Sequence, residues 1–176
     1  MNTKKLILYI ACSVDGYIAQ PGDDLSFLDK VQREGEDYGY TDFTATVDTV
    51  IMGRRTYDWI MARCPEYVHQ DKNTYIITRT ERPQQGNTRF YTGDLKELVT
   101  TLKSQGGKNI FCDGGAEIVN ELLKDRLFDE LIISIIPVLL GDGTRLFRNG
   151  VPMQDLILVS SKSFDSGLVQ LHYKVN

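Results

Sequence analysis

The sequence predicts an α/β protein in three α/β/α layers, with a mainly parallel central sheet, helices on both faces and an antiparallel C-terminal hairpin. Three observations carry this. Apolar stretches of strand length alternate with helical stretches over most of the 176 residues. The run 6–12 is continuously apolar, as expected of a strand covered on both faces, and 130–139 reads as a long, mainly apolar strand with Pro137 near its end. Toward the C-terminus the helical pattern stops, and two strand-like runs follow, joined through Asp165-Ser166-Gly167. No repeat, low-complexity block or linker interrupts the chain, so residues 1–176 read as a single domain.

The first strand, 6–12, runs into a loop over 13–22 that contains Asp15-Gly16 and Pro21-Gly22. Residues 25–34 read as a short helix with Asp23 or Asp24 as its N-cap. Residues 41–46 lead into a helix end, and 47–52 form the next strand. A short helix over 56–62 follows Gly53. Strands are predicted at 73–78 and 89–91, on either side of a polar loop. In 94–104, Leu95, Leu98, Val99 and Leu102 form one helical stripe, ended by Gly106-Gly107. Strand 108–112 leads to a double glycine, and helix 116–124 turns Ile118, Val119, Leu122 and Leu123 inward. Strand 130–139, the turn Gly141-Asp142-Gly143 and strands 156–164 and 168–175 complete the order.

Composition narrows the function. Hydrophobic residues are 41% and charged residues 25%, ordinary for a globular chain with a core. The formal net charge of −4 supplies no broad basic face, so nucleic acid is not an expected partner. Two lysines precede the apolar run at 6–12, but Ser13, Asp15 and Gly16 break it, which fits a core strand rather than a leader. No apolar stretch approaches membrane-spanning length. Three widely spaced cysteines suit reduced thiols, and a cytoplasmic location is expected. With two histidines and neither C-x-x-C nor H-x-x-x-H, no metal site is expected. No histidine sits in a recognisable nucleophile setting, so a Ser-His-Asp triad has no support.

Three strand ends carry chemistry. In 109–118 an apolar strand meets Gly114-Gly115 and then a helix start. Such a junction lets backbone N–H groups and the positive end of a helix approach an anion, most simply the pyrophosphate of a dinucleotide. A tight turn is the other reading of two glycines. In 50–56 a strand again meets glycine, and Arg54, Arg55 and Thr56 follow at once. Arginine in a first helical turn opposes the helix dipole, so phosphate binding explains the pair better than local stability does. The strand at 75–77 ends in Thr78-Arg79-Thr80. Strand ends in open α/β sheets share one rim, where ligands bind. No G-x-G-x-x-G is present, so the Rossmann fingerprint is absent.

Ile51-Met52-Gly53-Arg54-Arg55-Thr56-Tyr57 resembles the glycine-arginine-x-threonine segment of dihydrofolate reductases. Ser13-Val14-Asp15-Gly16-Tyr17-Ile18-Ala19 resembles the loop after their first strand, and Asp113-Gly114-Gly115-Ala116-Glu117-Ile118 their pyrophosphate-binding double glycine. Within that superfamily, the Ser-x-Asp-Gly-x-Ile-Ala loop, Phe128-Asp129-Glu130-Leu131, and the stretch from Pro137 to Gly143 with Leu146-Phe147 resemble the reductase domain of the riboflavin-pathway deaminase-reductase. No deaminase zinc motif precedes them, so a stand-alone form is implied.

The resemblance implies a dihydrofolate-reductase-like fold and an NADPH-dependent reductase, usually homodimeric, acting on a small pterin- or pyrimidine-like heterocycle. Gly53, Arg54, Arg55 and Thr56 would hold the adenosine side and its phosphates; Thr78 and Arg79 would meet the 2′-phosphoribose. Gly114, Gly115, Ala116 and Glu117 would cradle the pyrophosphate, and Ala11, Ile18 and Ala19 would line the nicotinamide pocket. Asp24, in Asp24-Leu25-Ser26-Phe27-Leu28, matches the place of the catalytic carboxylate and is equally a helix cap. Asp15 and Phe27 are candidate substrate contacts, Asp15 being also a natural turn residue. The loop before Asp24 is short and lacks the proline-tryptophan pair of folate enzymes, which favours the riboflavin type. The alternatives are dihydrofolate reductase activity and a nucleotide-binding paralogue without catalysis.

Overall fold

The computed structural model describes residues 3–176. The first half of the chain builds β1 (Leu6–Ser13), β2 (Tyr17–Ala19), a 3-10 helix (Ser26–Val31), α1 (Tyr40–Ala45), β3 (Val47–Gly53), α2 (Arg54–Met61), β4 (Asn73–Ile77) and β5 (Thr88–Tyr91). The second half builds α3 (Leu95–Ser104), β6 (Asn109–Gly114), α4 (Ala116–Lys124), β7 (Glu130–Ile136), β8 (Thr144–Arg145), β9 (Leu156–Ser163) and β10 (Val169–Val175). Eight strands pair in the order β5-β4-β3-β6-β1-β7-β10-β9. Pairing is parallel from β5 through β7, and β10 runs antiparallel between β7 and β9. This is the three-layer sheet that the sequence predicts.

Alternation along the strands divides the core. Leu6, Leu8 and Cys12 of β1 face one side, against Val99 and Leu102 of α3 and Val119 and Leu122 of α4. Ile7 faces the other, with Val50, Met52, Phe111, Phe43 of α1 and Tyr57 of α2. Each such side chain contributes about 1.5–3 kcal/mol by leaving water. The 3-10 helix adds Phe27 and Val31 against Ile136 and Leu168. Of the helix stripe predicted in α3, Leu98, Val99 and Leu102 are buried and Leu95 is half-buried, and Asp94 caps the helix by accepting from the Glu97 N–H at 2.8 Å.

Four local differences have physical reasons. The loop at 13–22 contains β2, which pairs with β8; strands this short carry no readable period. The helix expected over 25–34 is a 3-10 helix of six residues, with Leu25 at the cap position and no side-chain cap. β7 stops at Ile136 because Pro137 has no N–H to extend the ladder. α2 begins at Arg54, directly after the sheet, rather than at residue 56. That last shift puts a helix N-terminus on the sheet rim.

Candidate active site

Gly53 ends β3, and Gly114 ends β6, the strand beside it. The helices that follow, α2 and α4, have glycine N-caps, Gly53 and Gly115, with no side-chain cap on either. Two sets of unpaired first-turn N–H groups therefore sit side by side. Space, rather than conformation, calls for glycine at two of these positions. A Cβ on Gly53 would sit 3.2 Å from Ile118 Cγ1, and one on Gly115 would sit 3.3 Å from Thr56 Oγ1. Gly114 is different: its φ of +91° suits glycine, and its bond to Gly115 is cis.

A cavity of about 770 Å³ opens over this rim. Gly53, Arg54, Arg55 and Thr56 line it from α2, Thr78 and Arg79 from beyond β4, and Gly115, Ala116 and Glu117 from α4. Ala11 of β1 with Ile18 and Ala19 of β2 line it from the side. Among the predicted cofactor positions, Gly114 alone is outside the lining, buried behind it. The arginines are exposed, each beside an acid: Arg54–Asp58 at 3.6 Å, Arg55–Asp23 at 2.9 Å and Arg79–Glu117 at 3.8 Å. Exposed pairs of this kind contribute at most about 1 kcal/mol, so a phosphate competes for the arginines easily.

On the face that carries α1 and α2, the cavity is mostly aromatic. Tyr9, Tyr40, Trp59 and Phe111 line it with Leu25, Leu28 and Ile60, and Asp113 supplies a carboxylate. The sequence reading assigned no substrate role to these side chains. The available signal was Asp113 itself, a charged residue at the end of an apolar strand just before the double glycine. Arg148 also lines the cavity, unforeseen.

The expected substrate-side residues fall elsewhere. Asp24 is exposed and outside the lining; its carboxylate accepts from the Ser26 N–H at 2.9 Å, the Ser26 hydroxyl at 2.9 Å and Gln20 Nε2 at 3.3 Å. It shapes a turn, and the chain tightens into the 3-10 helix before any regular cap forms. Phe27 is buried in the core, whereas Leu25, at the cap position, and Leu28, three residues on, reach the cavity.

Asp15 is a clamp between loops. It accepts from the Ser13 hydroxyl at 2.6 Å, from the Leu140 N–H at 3.0 Å and from the Gly141 N–H at 2.7 Å. These bonds, foremost that from Ser13, hold its carboxyl down at about 2, against an ordinary 3.8. A lowered folded-state value stabilises the fold fully above pH 3.8, and the contribution disappears as pH falls toward 2. Asp15→Asn should therefore lower Tm at neutral pH, and the gap to wild type should close across that acid window. A gap that stays constant in melts through the window would show that the carboxylate charge is not what ties the loops.

Among the described residues no group of three His, Cys, Asp or Glu side chains is placed to hold a metal ion, and no helix is long and apolar enough to cross a membrane. Comparison with known proteins finds relatives over nearly the whole chain. Uncharacterized protein YwjB of Bacillus subtilis is 41% identical over 171 residues, covering 97% of each chain. A Shewanella sp. PV-4 protein, provisionally named for riboflavin biosynthesis, superposes with a TM-score of 0.88 at 28% identity, covering 98% of this chain and 99% of that one. Dihydrofolate reductase from Enterococcus faecalis, solved with NADP(H), shares the fold at a TM-score of 0.69 and 16% identity, covering 98% and 96% of the two chains. Residues 4–170 match the RibD C-terminal domain, a stretch that runs from before β1 into β10 and includes every segment lining the cavity. The chain belongs to the RibD C-terminal domain family and has the fold of the dihydrofolate-reductase-like reductases.

Proposed function

We propose that this protein is an NADPH-dependent reductase that transfers hydride to a pterin- or pyrimidine-like heterocycle, of the riboflavin-reductase type. The observation that carries this is the pair of uncapped, glycine-led helix N-termini meeting in one cavity. They fit a pyrophosphate, because the first-turn N–H groups of α2 and α4 have no side-chain cap and both helix starts open on the cavity. Thr56 adds a hydroxyl, and Arg54, Arg55 and Arg79 add charge for a 2′-phosphate. Ala11, Ile18 and Ala19 offer a small apolar wall against which a nicotinamide ring lies flat. Bound NADPH supplies the hydride; the chain's own work is to orient the two partners and keep water out. The aromatic side of the cavity suits a planar heterocycle.

The folate-type alternative depended on Asp24, and the position of Asp24 outside the cavity weakens it. The test is a fluorescence titration with NADPH, followed by its absorbance in the presence of pterins, dihydropterins and aminopyrimidines. Saturable binding with oxidation by one of these supports the reading, and Asp24→Asn should then turn over as wild type does. Absence of NADPH binding would sink it. Binding without oxidation across such a panel would leave a nucleotide-binding paralogue.

We also propose a homodimer built on the C-terminal edge. Leu156, Ile157, Leu158 and Val159 of β9 are consecutive and each at least 43% exposed. An apolar edge strand open on both faces is a liability in a monomer. Ile157→Glu combined with Val159→Glu should halve the solution mass measured by sedimentation equilibrium. A wild-type mass of 20.0 kDa would remove the proposal.

A further inference from the structure

Three polar groups meet on the aromatic side of the cavity, and binding of the dinucleotide uses none of them. Asp113 shares its face of β6 with Phe111, while Cys112 between them enters the opposite core. His69, from the segment before β4, is only 3% exposed. Its Nε2 lies 3.8 Å from Asp113 Oδ2 and 3.4 Å from the Tyr40 hydroxyl. Asp113 and Tyr40 line the cavity, and His69 stands behind them.

Two features set this histidine apart from one satisfied within a core. Its ring packs edge-on against Phe111, with centroids 5.8 Å apart, and against Tyr67 at 5.6 Å, so its orientation is fixed by aromatic contacts. Yet both polar approaches are longer than a good hydrogen bond, about 2.7–3.2 Å for N–H···O. The cluster is aimed but not closed on itself.

Electrostatics gives the cluster its preference. Among the described residues His69 is the only ion-pair partner of Asp113. Arg54, Arg55 and Arg79 pair with other acids. Burial, and then the Asp113 carboxylate, raises the Tyr40 phenol above its ordinary value; burial dominates likewise at Tyr67, so both remain neutral hydroxyls at physiological pH. Asp71, of the same segment as His69, is bound to Lys72 at 2.9 Å. A carboxylate at a cavity wall with so little neutralising it seeks N–H donors from a ligand.

We propose that Asp113 is the substrate-recognising carboxylate of this site. It accepts hydrogen bonds from the adjacent N–H groups of an amino-substituted heterocycle held among Tyr9, Tyr40 and Trp59. His69 and Tyr40 are positioning residues that fix the carboxylate's orientation from behind and beside it. This rests on the reading of the cavity as a reductase site and moves the substrate's polar anchor from Asp24 to the end of β6. The ligand class is one with a forked donor edge, as in aminopyrimidines and pterins, because a carboxylate meets such an edge with two parallel bonds.

The experiment uses 2,4-diaminopyrimidine as probe, titrated by calorimetry into the full chain with and without NADPH. Hydrogen bonds to a charged group are worth about 1.5–3 kcal/mol, so Asp113→Asn should weaken probe binding about tenfold or more. NADPH affinity should stay within about twofold of wild type, which also reports that the variant is folded. Tyr40→Phe and His69→Gln should weaken the probe less. The chain has two histidines, so its imidazole proton resonances are readily assigned by the His69→Gln variant. Probe should shift the His69 resonance. His172, bonded to Glu130 at 2.8 Å, should not move. Probe affinity unchanged in Asp113→Asn, or wild-type protein that binds NADPH but not the probe, would overturn the proposal. Binding of the probe through Asp113 without any NADPH binding would uphold this site and sink the reductase reading instead.

Discussion

Gly115→Val should abolish NADPH binding while the fold survives. Gly115 has φ of −72° and ψ of −164°, an extended conformation that valine adopts readily. The backbone therefore tolerates the change, and the loss is local. A bare Cβ already sits 3.3 Å from Thr56 Oγ1, and the two methyl groups of valine extend further into the gap between the starts of α2 and α4. A pyrophosphate would have to give up contacts with one or both helix starts. Each charge-assisted bond lost costs about 1.5–3 kcal/mol, so two lost bonds raise Kd by about 100-fold or more. Titration calorimetry measures the loss, and a thermal melt close to wild type shows that it is not unfolding. Near-normal binding by Gly115→Val would make the double glycine a structural turn and nothing more. Gly114 is the wrong residue for this test. At φ +91° any side chain costs about 1–2 kcal/mol in backbone strain, so Gly114→Val confounds binding with stability.

That contrast shows what was legible in the sequence. Glycine at a strand-to-helix junction is local chemistry, and Gly53-Arg54-Arg55-Thr56 and Gly115-Ala116-Glu117 announce a rim wherever the strands lie. The parallel sheet brings them together, because β3 and β6 are neighbours and both helices start at the same edge. The two glycines of 114–115 look equivalent in sequence, and only the backbone separates a glycine kept for its φ from one kept for its space. The aromatic side of the cavity was not legible. Tyr9, Tyr40, Trp59 and Phe111 come from four separate segments, and each alone is an ordinary core residue. Parallel pairing sets β1 beside β6, and α1 lays Tyr40 across them, its ring 5.6 Å from that of Tyr9. Asp24 and Phe27 were assigned by the resemblance of their segment to one that carries a catalytic carboxylate, and the local backbone here turns both away from the cavity. Leu25 at the cap of the 3-10 helix and Leu28 in its first turn face the cavity instead.

NADPH should bind about 100-fold more tightly than NADH, and the preference should reside in Arg54, Arg55 and Arg79. Each arginine lines the cavity and already lies beside a carboxylate. Those pairs are exposed: Arg55 is 78% open to solvent and Arg79 is 96%. Water and salt weaken them to at most about 1 kcal/mol each. A 2′-phosphate offers up to two charges and three acceptor oxygens at once, and each guanidinium contact with it is worth about 1.5–3 kcal/mol. Exchanging Asp23 or Glu117 for that phosphate is therefore downhill for the arginine. Two exchanges net about 1–4 kcal/mol, a range that spans the stated ratio. NADH lacks the phosphate and would leave the existing pairs in place. Arg55→Gln or Arg79→Gln should thus weaken NADPH about tenfold each while NADH binding hardly changes. Raising the salt concentration should erode the preference in wild type and much less in a variant that combines Arg55→Gln with Arg79→Gln. Equal affinities of wild-type protein for the two cofactors would leave these arginines with their carboxylate partners and remove the 2′-phosphate from their role.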